Sequence, residues 1–83
     1  MKEKNEYEEV MNALSMNREI EFSYKNVTYA LVYHQKGWCL VNRKEKLSLY
    51  YQDNNELLEN IRLDNKTFFD LLKEGSIKIE TIF

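Results

Sequence analysis

The sequence predicts an α+β domain: an N-terminal helix, an antiparallel meander of three to four strands, two short helices and a C-terminal strand. Three observations carry this. Ile20, Phe22 and Tyr24 alternate with polar residues, as do Val27, Tyr29, Leu31 and Tyr33, with only Lys25-Asn26 between the two runs. Residues 3–15 instead repeat apolar side chains at helical spacing. Helix-start signals return only after residue 52, so strands and helices are segregated along the chain, the mark of an antiparallel α+β architecture.

In the first segment Tyr7, Val10, Met11 and Leu14 follow the i, i+3, i+4, i+7 pattern of one buried stripe. Glu3, Glu6, Glu8 and Glu9 fall in the first half, where the helix dipole favours negative charge. The pairs Lys2–Glu6 and Lys4–Glu8 have the weaker orientation and add little.

Residues 18–24 and 27–34 form a hairpin whose turn fixes its register. A two-residue turn at Lys25-Asn26 sets Tyr24 opposite Val27, Phe22 opposite Tyr29 and Ile20 opposite Leu31, all on one face. The next turn, Gln35-Lys36-Gly37, has the glycine last, which matches a three-residue loop with a G1 bulge. That register pairs His34 with Trp38, Tyr33 with Cys39 and Leu31 with Val41, and adds a third strand over 38–42. A fourth, over 46–51, follows the polar turn Arg43-Lys44-Glu45 and puts Leu47, Leu49 and Tyr51 on the face of Val41.

Asp53 to Glu56 fits a capping box and opens a helix carrying Leu57, Leu58 and Ile61. A second box, Thr67 to Asp70, opens a helix with Phe68, Leu71 and Leu72 inward, and Gly75 stops it. From Ser76 to Phe83 the alternation returns. The helices are expected to cover the sheet face bearing Phe22, Tyr29 and Leu31.

The 83 residues make one domain, 1–83, with a small core. Aromatic side chains, 13% of the sequence, let such a core close without staples. Cys39 is the only cysteine, so no intrachain disulfide forms, and one Cys with one His cannot build a structural zinc site. No metal or other cofactor is expected. The formal charge of −2 argues against nucleic acid as a default partner. There is no signal-peptide core and no run approaching ~18 apolar residues. The expectation is a cytoplasmic protein with no membrane association.

No catalytic constellation is present, and the chain reads as non-enzymatic. Phosphate-loop, zinc-protease and EF-hand signatures are missing. The three Asp each have a structural job, Asp53 and Asp70 at helix starts and Asp64 in the turn between the short helices. His34 and Cys39 are the residue types of a thiol nucleophile and its base, but the bulged register puts them on opposite faces. A two-residue turn at Lys36-Gly37 would set them opposite each other, still without a third orienting group. Glu19 and Glu21 read as a wet sheet face.

Two surfaces remain as candidates. In the bulged register the second sheet face carries Val32, Trp38, His34, Leu40 and, from the fourth strand, Tyr50. These residue types anchor protein interfaces, unless the C-terminal segment folds back over them. The other candidate is the basic set Lys36, Arg43, Lys44 and Lys46 around the third strand, which with an aromatic neighbour can hold single strands. The first reading makes the chain a module for an unknown protein partner, with a homodimer through a sheet edge as a further option. The second makes it a nucleic-acid binder.

The stretch Asn17-Arg-Glu-Ile-Glu-Phe-Ser-Tyr24, then Val27-Thr-Tyr29, Gly37-Trp38, Glu56-Leu-Leu-Glu-Asn-Ile-Arg-Leu63 and Lys66-Thr-Phe-Phe69 resembles small uncharacterised proteins of Gram-positive bacteria and their phages and mobile elements. Those have a short helix, an E-I-E-F-x-Y hairpin and an E-L-L-E-N segment. The resemblance spans about residues 7–79. Asn17, Asn26 and Asn65 stand at usual glycines, and Phe69 and its neighbours replace a usual Trp end. Asn is a good substitute for Gly at positive φ. The resemblance implies a cytoplasmic or phage-borne, non-enzymatic protein.

Overall fold

The computed structural model describes residues 6–43 and 45–83. The elements are α1 (Glu6–Ser15), β1 (Ile20–Tyr24), β2 (Val27–His34), β3 (Gly37–Asn42), β4 (Glu45–Lys46), α2 (Asn54–Asn60), β5 (Arg62–Leu63), β6 (Lys66–Thr67), α3 (Phe68–Glu74) and β7 (Ile77–Ile82). The main sheet is antiparallel, with strand order β4-β3-β2-β1-β7. The C-terminal strand therefore pairs with β1 and does not fold back over a sheet face. The predicted helix start at Glu3, with the pairs made by Lys2 and Lys4, lies outside the described residues.

The first hairpin has the predicted register, Tyr24 with Val27, Phe22 with Tyr29 and Ile20 with Leu31. Lys25 and Asn26 both take positive φ, 50° and 65°, as the type I′ turn that matches strand twist requires. The same device recurs at Asp64 and Asn65, φ 55° and 66°, which close the small β5–β6 hairpin inside the predicted inter-helix turn. The two turns clasp each other. Asp64 accepts hydrogen bonds from the Tyr24 hydroxyl at 3.0 Å and from the Lys25 ammonium at 2.7 Å.

The β2–β3 register differs from the prediction. The turn is two residues, Gln35-Lys36, and His34 pairs with Gly37, Tyr33 with Trp38, Val32 with Cys39 and Leu31 with Leu40. Gly37 is the first residue of β3, not the end of a loop. At φ 122° its missing side chain makes room for the backbone of Tyr51, whose carbonyl oxygen would sit 2.7 Å from a Cβ there. Two hydrogen bonds between Trp38 and Tyr51 main chains, 2.7 and 2.8 Å, follow from that approach. A glycine in a strand marks close backbone contact as readily as a turn.

The one-residue slip flips every side chain of β3. Trp38 and Leu40, expected on the second face, point into the core and are 1% and 2% exposed. The predicted fourth strand, 46–51, is also shorter. After Lys46 the Ser48 hydroxyl takes the place of a strand carbonyl, accepting from the Leu40 N–H at 2.9 Å. The ladder is broken, and Leu47 and Leu49, expected beside Val41, are exposed.

The core lies between the sheet and the three helices. Phe22 stacks on Tyr29, with centroids 5.6 Å apart, and meets Phe68 of α3 at 5.2 Å. Val10 and Leu14 of α1, Leu57 and Leu58 of α2, Ile61, and Leu71 and Leu72 of α3 complete it. Asp53 caps α2 by accepting from the Asn55 N–H, and Thr67 caps α3 by accepting from the Asp70 N–H. Gly75 ends α3 at φ 73°, in the left-handed conformation usual at that place.

Candidate functional site: the open face of the sheet

All three helices pack on one side of the sheet, and no described element covers the other side. The open face is laid out by the strand register. One row crosses all five strands through directly paired residues: Thr81 of β7, Glu21 of β1, Ala30 of β2, Val41 of β3 and Lys46 of β4. Parallel to it, Val32 pairs with Cys39, and beyond them His34 pairs with Gly37. The centre is a low aliphatic strip of half-buried Ala30, Val32 and Val41 with Cys39 sunk among them.

The two flanks carry opposite charge. On the β1–β7 side the Glu80 carboxylate accepts from the Ser23 hydroxyl at 2.8 Å, Glu21 accepts from the Thr81 hydroxyl at 3.4 Å, and Glu19 accepts the Tyr33 N–H at 3.0 Å. The cations of that side are Lys78, paired with Ser23, and Arg18, whose guanidinium donates to the Phe83 and Ile82 carbonyls at the end of β7. On the β3–β4 side the ammonium groups of Lys46 and Lys36 lie 4.3 and 5.8 Å from the centre of the Tyr50 ring, a cation–π arrangement. His34 meets the same ring, with centroids 5.4 Å apart. Its Nδ1 accepts the Lys36 N–H at 3.4 Å.

Of the sequence candidates, His34 and Tyr50 therefore share the open face, while Trp38 and Leu40 belong to the core. Among the basic residues, Lys36, Arg43 and Lys46 have no ion-pair partner among the described residues, where the pairs are Lys25–Asp64 and Lys66–Glu74. Lys44 lies outside the described residues. A groove of about 520 Å³ opens at the hairpin end of this face, with Glu21 on one wall, Arg43 on the other, and Thr28, Ala30 and Val41 between. Sequence reasoning placed Val32 on this surface with His34 but missed Cys39 and Val41, which complete its centre. The signal for both was the parity of β3, which hinged on one glycine.

His34 and Cys39, expected on opposite faces, share this one. The thiol is buried, and burial pushes its pKa up, only partly countered by the nearby Lys46 charge. An activated nucleophile needs the reverse. A second, wider groove of about 910 Å³ lies between α1, α3 and β7, lined by carboxylates such as Glu74 and Glu80 around Leu72 and Ile79. Among the described residues no three His, Cys, Asp or Glu side chains converge as a metal site would need, and no helix is long and apolar enough to cross a membrane. Compared with known proteins, the chain matches no protein family, no curated protein and no solved structure.

Proposed function

We propose that this chain is a small non-enzymatic binding module that engages a protein partner through the open face of its sheet, as an adaptor or inhibitor working in the cytoplasm of a bacterium or carried by a phage or mobile element. The observation that carries the reading is the face itself. An aliphatic strip flanked by His34, Tyr50 and lysines that have no ion partner among the described residues has no helix over it, while the same strands bury a full core on their other side. Apolar centres with polar, charged rims and an aromatic anchor are the anatomy of protein interfaces. The resemblance to small phage-borne proteins supports the setting.

The test is recovery of partners from host extract by the tagged protein, compared with Val32→Glu and Tyr50→Ala variants that keep the wild-type circular dichroism. The expected result is a protein retained by the wild type and lost with both variants. Equal retention by all three overturns the reading.

A second reading has its own observation: three cations, Lys36, Arg43 and Lys46, sit on one side of the sheet without ion partners among the described residues. Nucleic-acid binding through them predicts retention on single- or double-stranded nucleic acid that falls steeply as salt rises. No retention at low salt removes it.

A further inference from the structure

We infer that the open face docks a second copy of this chain, the two sheets packing face to face about a two-fold axis that runs along the strands. The inference rests on the open face being a protein-binding surface, and it names the partner.

The row from Thr81 through Glu21, Ala30 and Val41 to Lys46 is the reason. It is negative at one end, with Glu80 beside Thr81, aliphatic in the middle and positive at the other end. A two-fold axis in the interface reverses the order of the strands and keeps their direction. With the axis along the central strand β2, it lays β7 of one copy, with Glu80, over β4 of the other, with Lys46, twice by symmetry, while Ala30 and Val32 meet their counterparts on the axis and Val41 faces Glu21. An axis across the strands would set like charge on like charge and is disfavoured. Self-complementarity under one rotation is what an isologous contact demands, and aligned packing within about 30° is the usual way two sheets meet.

The carboxylates of this face are held by hydroxyl and N–H donors and carry no cation among the described residues; the lysines rest on an aromatic ring and carry no carboxylate. Each side thus keeps its charge for a partner. Five strands spaced about 4.8 Å apart give a plane on the order of 500 Å². That is below the roughly 800 Å² per partner of a standard stable interface, so the dimer is reversible and concentration-dependent.

Sedimentation equilibrium across a concentration series tests this, with circular dichroism confirming that each variant is folded. The wild type is expected to dimerise, more weakly as salt rises. Lys46→Glu and Glu80→Lys alone each create like-charge contacts twice over and weaken association on the order of tenfold. Mixing the two variants restores a mixed dimer, because each then supplies what the other lacks. Val32→Glu abolishes association. A wild type that stays monomeric at every concentration overturns the inference; the broader protein-binding reading then stands or falls on whether Val32→Glu loses another partner from host extract. A dimer that ignores the charge reversals also overturns it, and assigns association to the sheet edges β4 or β7.

Discussion

The two faces of one sheet obey different rules, although they are written on the same strands. On the helix side, Ile20, Phe22, Leu31, Trp38 and Leu40 are at most 2% exposed, and their neighbours are large and apolar. On the other side, small aliphatic residues stand between carboxylates and lysines. The first face is filled by volume and makes the fold. The second carries charge in an order that volume does not explain. Side chains alternate with period two, so both messages are readable from sequence only when the parity of each strand is right.

The sharpest way to break this comparison is to empty the helix side. Phe22→Ala, or Trp38→Ala, is expected to cost about 3–5 kcal/mol in urea or thermal unfolding. That is a large share of the stability of a domain this small. Tyr50→Ala on the open face is expected to stay within about 1 kcal/mol. Equal costs would mean that the open face is a second core.

Next in size are the two glycines. Gly37→Ala forces a Cβ against the Tyr51 carbonyl and is expected to cost roughly 2–3 kcal/mol. The amide of Trp38, bonded to that carbonyl, should then lose hydrogen-exchange protection. Gly75→Ala meets nothing within 4 Å, and its cost is limited to about 1–2 kcal/mol for left-handed backbone. A reversed order would show that Gly37 acts as a turn residue after all.

The smallest expected effect concerns the clasp between the two turns. The Lys25 ammonium, then the Tyr24 hydroxyl, hold the Asp64 carboxyl below the usual carboxylate range, and Asp64 in turn raises Lys25. A depressed acid contributes stability above its unfolded pKa and loses it as pH falls through its folded value. A raised lysine contributes below its unfolded pKa and loses it as pH rises through its folded value. The clasp is therefore intact across neutral pH and opens at both extremes. Both groups are exposed, so the effect on stability is slight, and NMR titration is the readout. Lys25→Ala should move the Asp64 midpoint upward; an unchanged midpoint would detach it from the clasp.

The fold was legible wherever local chemistry and pattern agreed. The Lys25-Asn26 turn has alternating strands on both sides, so its register admits one solution. The caps at Asp53 and Thr67 and the stop at Gly75 are short-range signals with short-range causes. The β2–β3 register was not legible, because Gly37 serves a contact with Tyr51, fourteen positions away, that no local pattern announces. The candidate site inherited that error directly. His34 lies on β2 and Tyr50 on the segment after β4, so both kept their face, whereas Trp38 and Leu40 lie on β3 and changed theirs. The unbroken row across the sheet was invisible for the same reason: Val41 joins Glu21 and Lys46 on one face only in the correct register.

Trp38 is the chain's single tryptophan, and its ring is sealed against Tyr33 on the helix side, with centroids 4.9 Å apart. The protein thus contains a built-in optical reporter on the side away from any docked partner. Its emission will follow melting of the interior, while occupancy of the exposed side leaves it dark to the change. A fluorescence titration of association therefore cannot be read at the tryptophan and must bring its own dye.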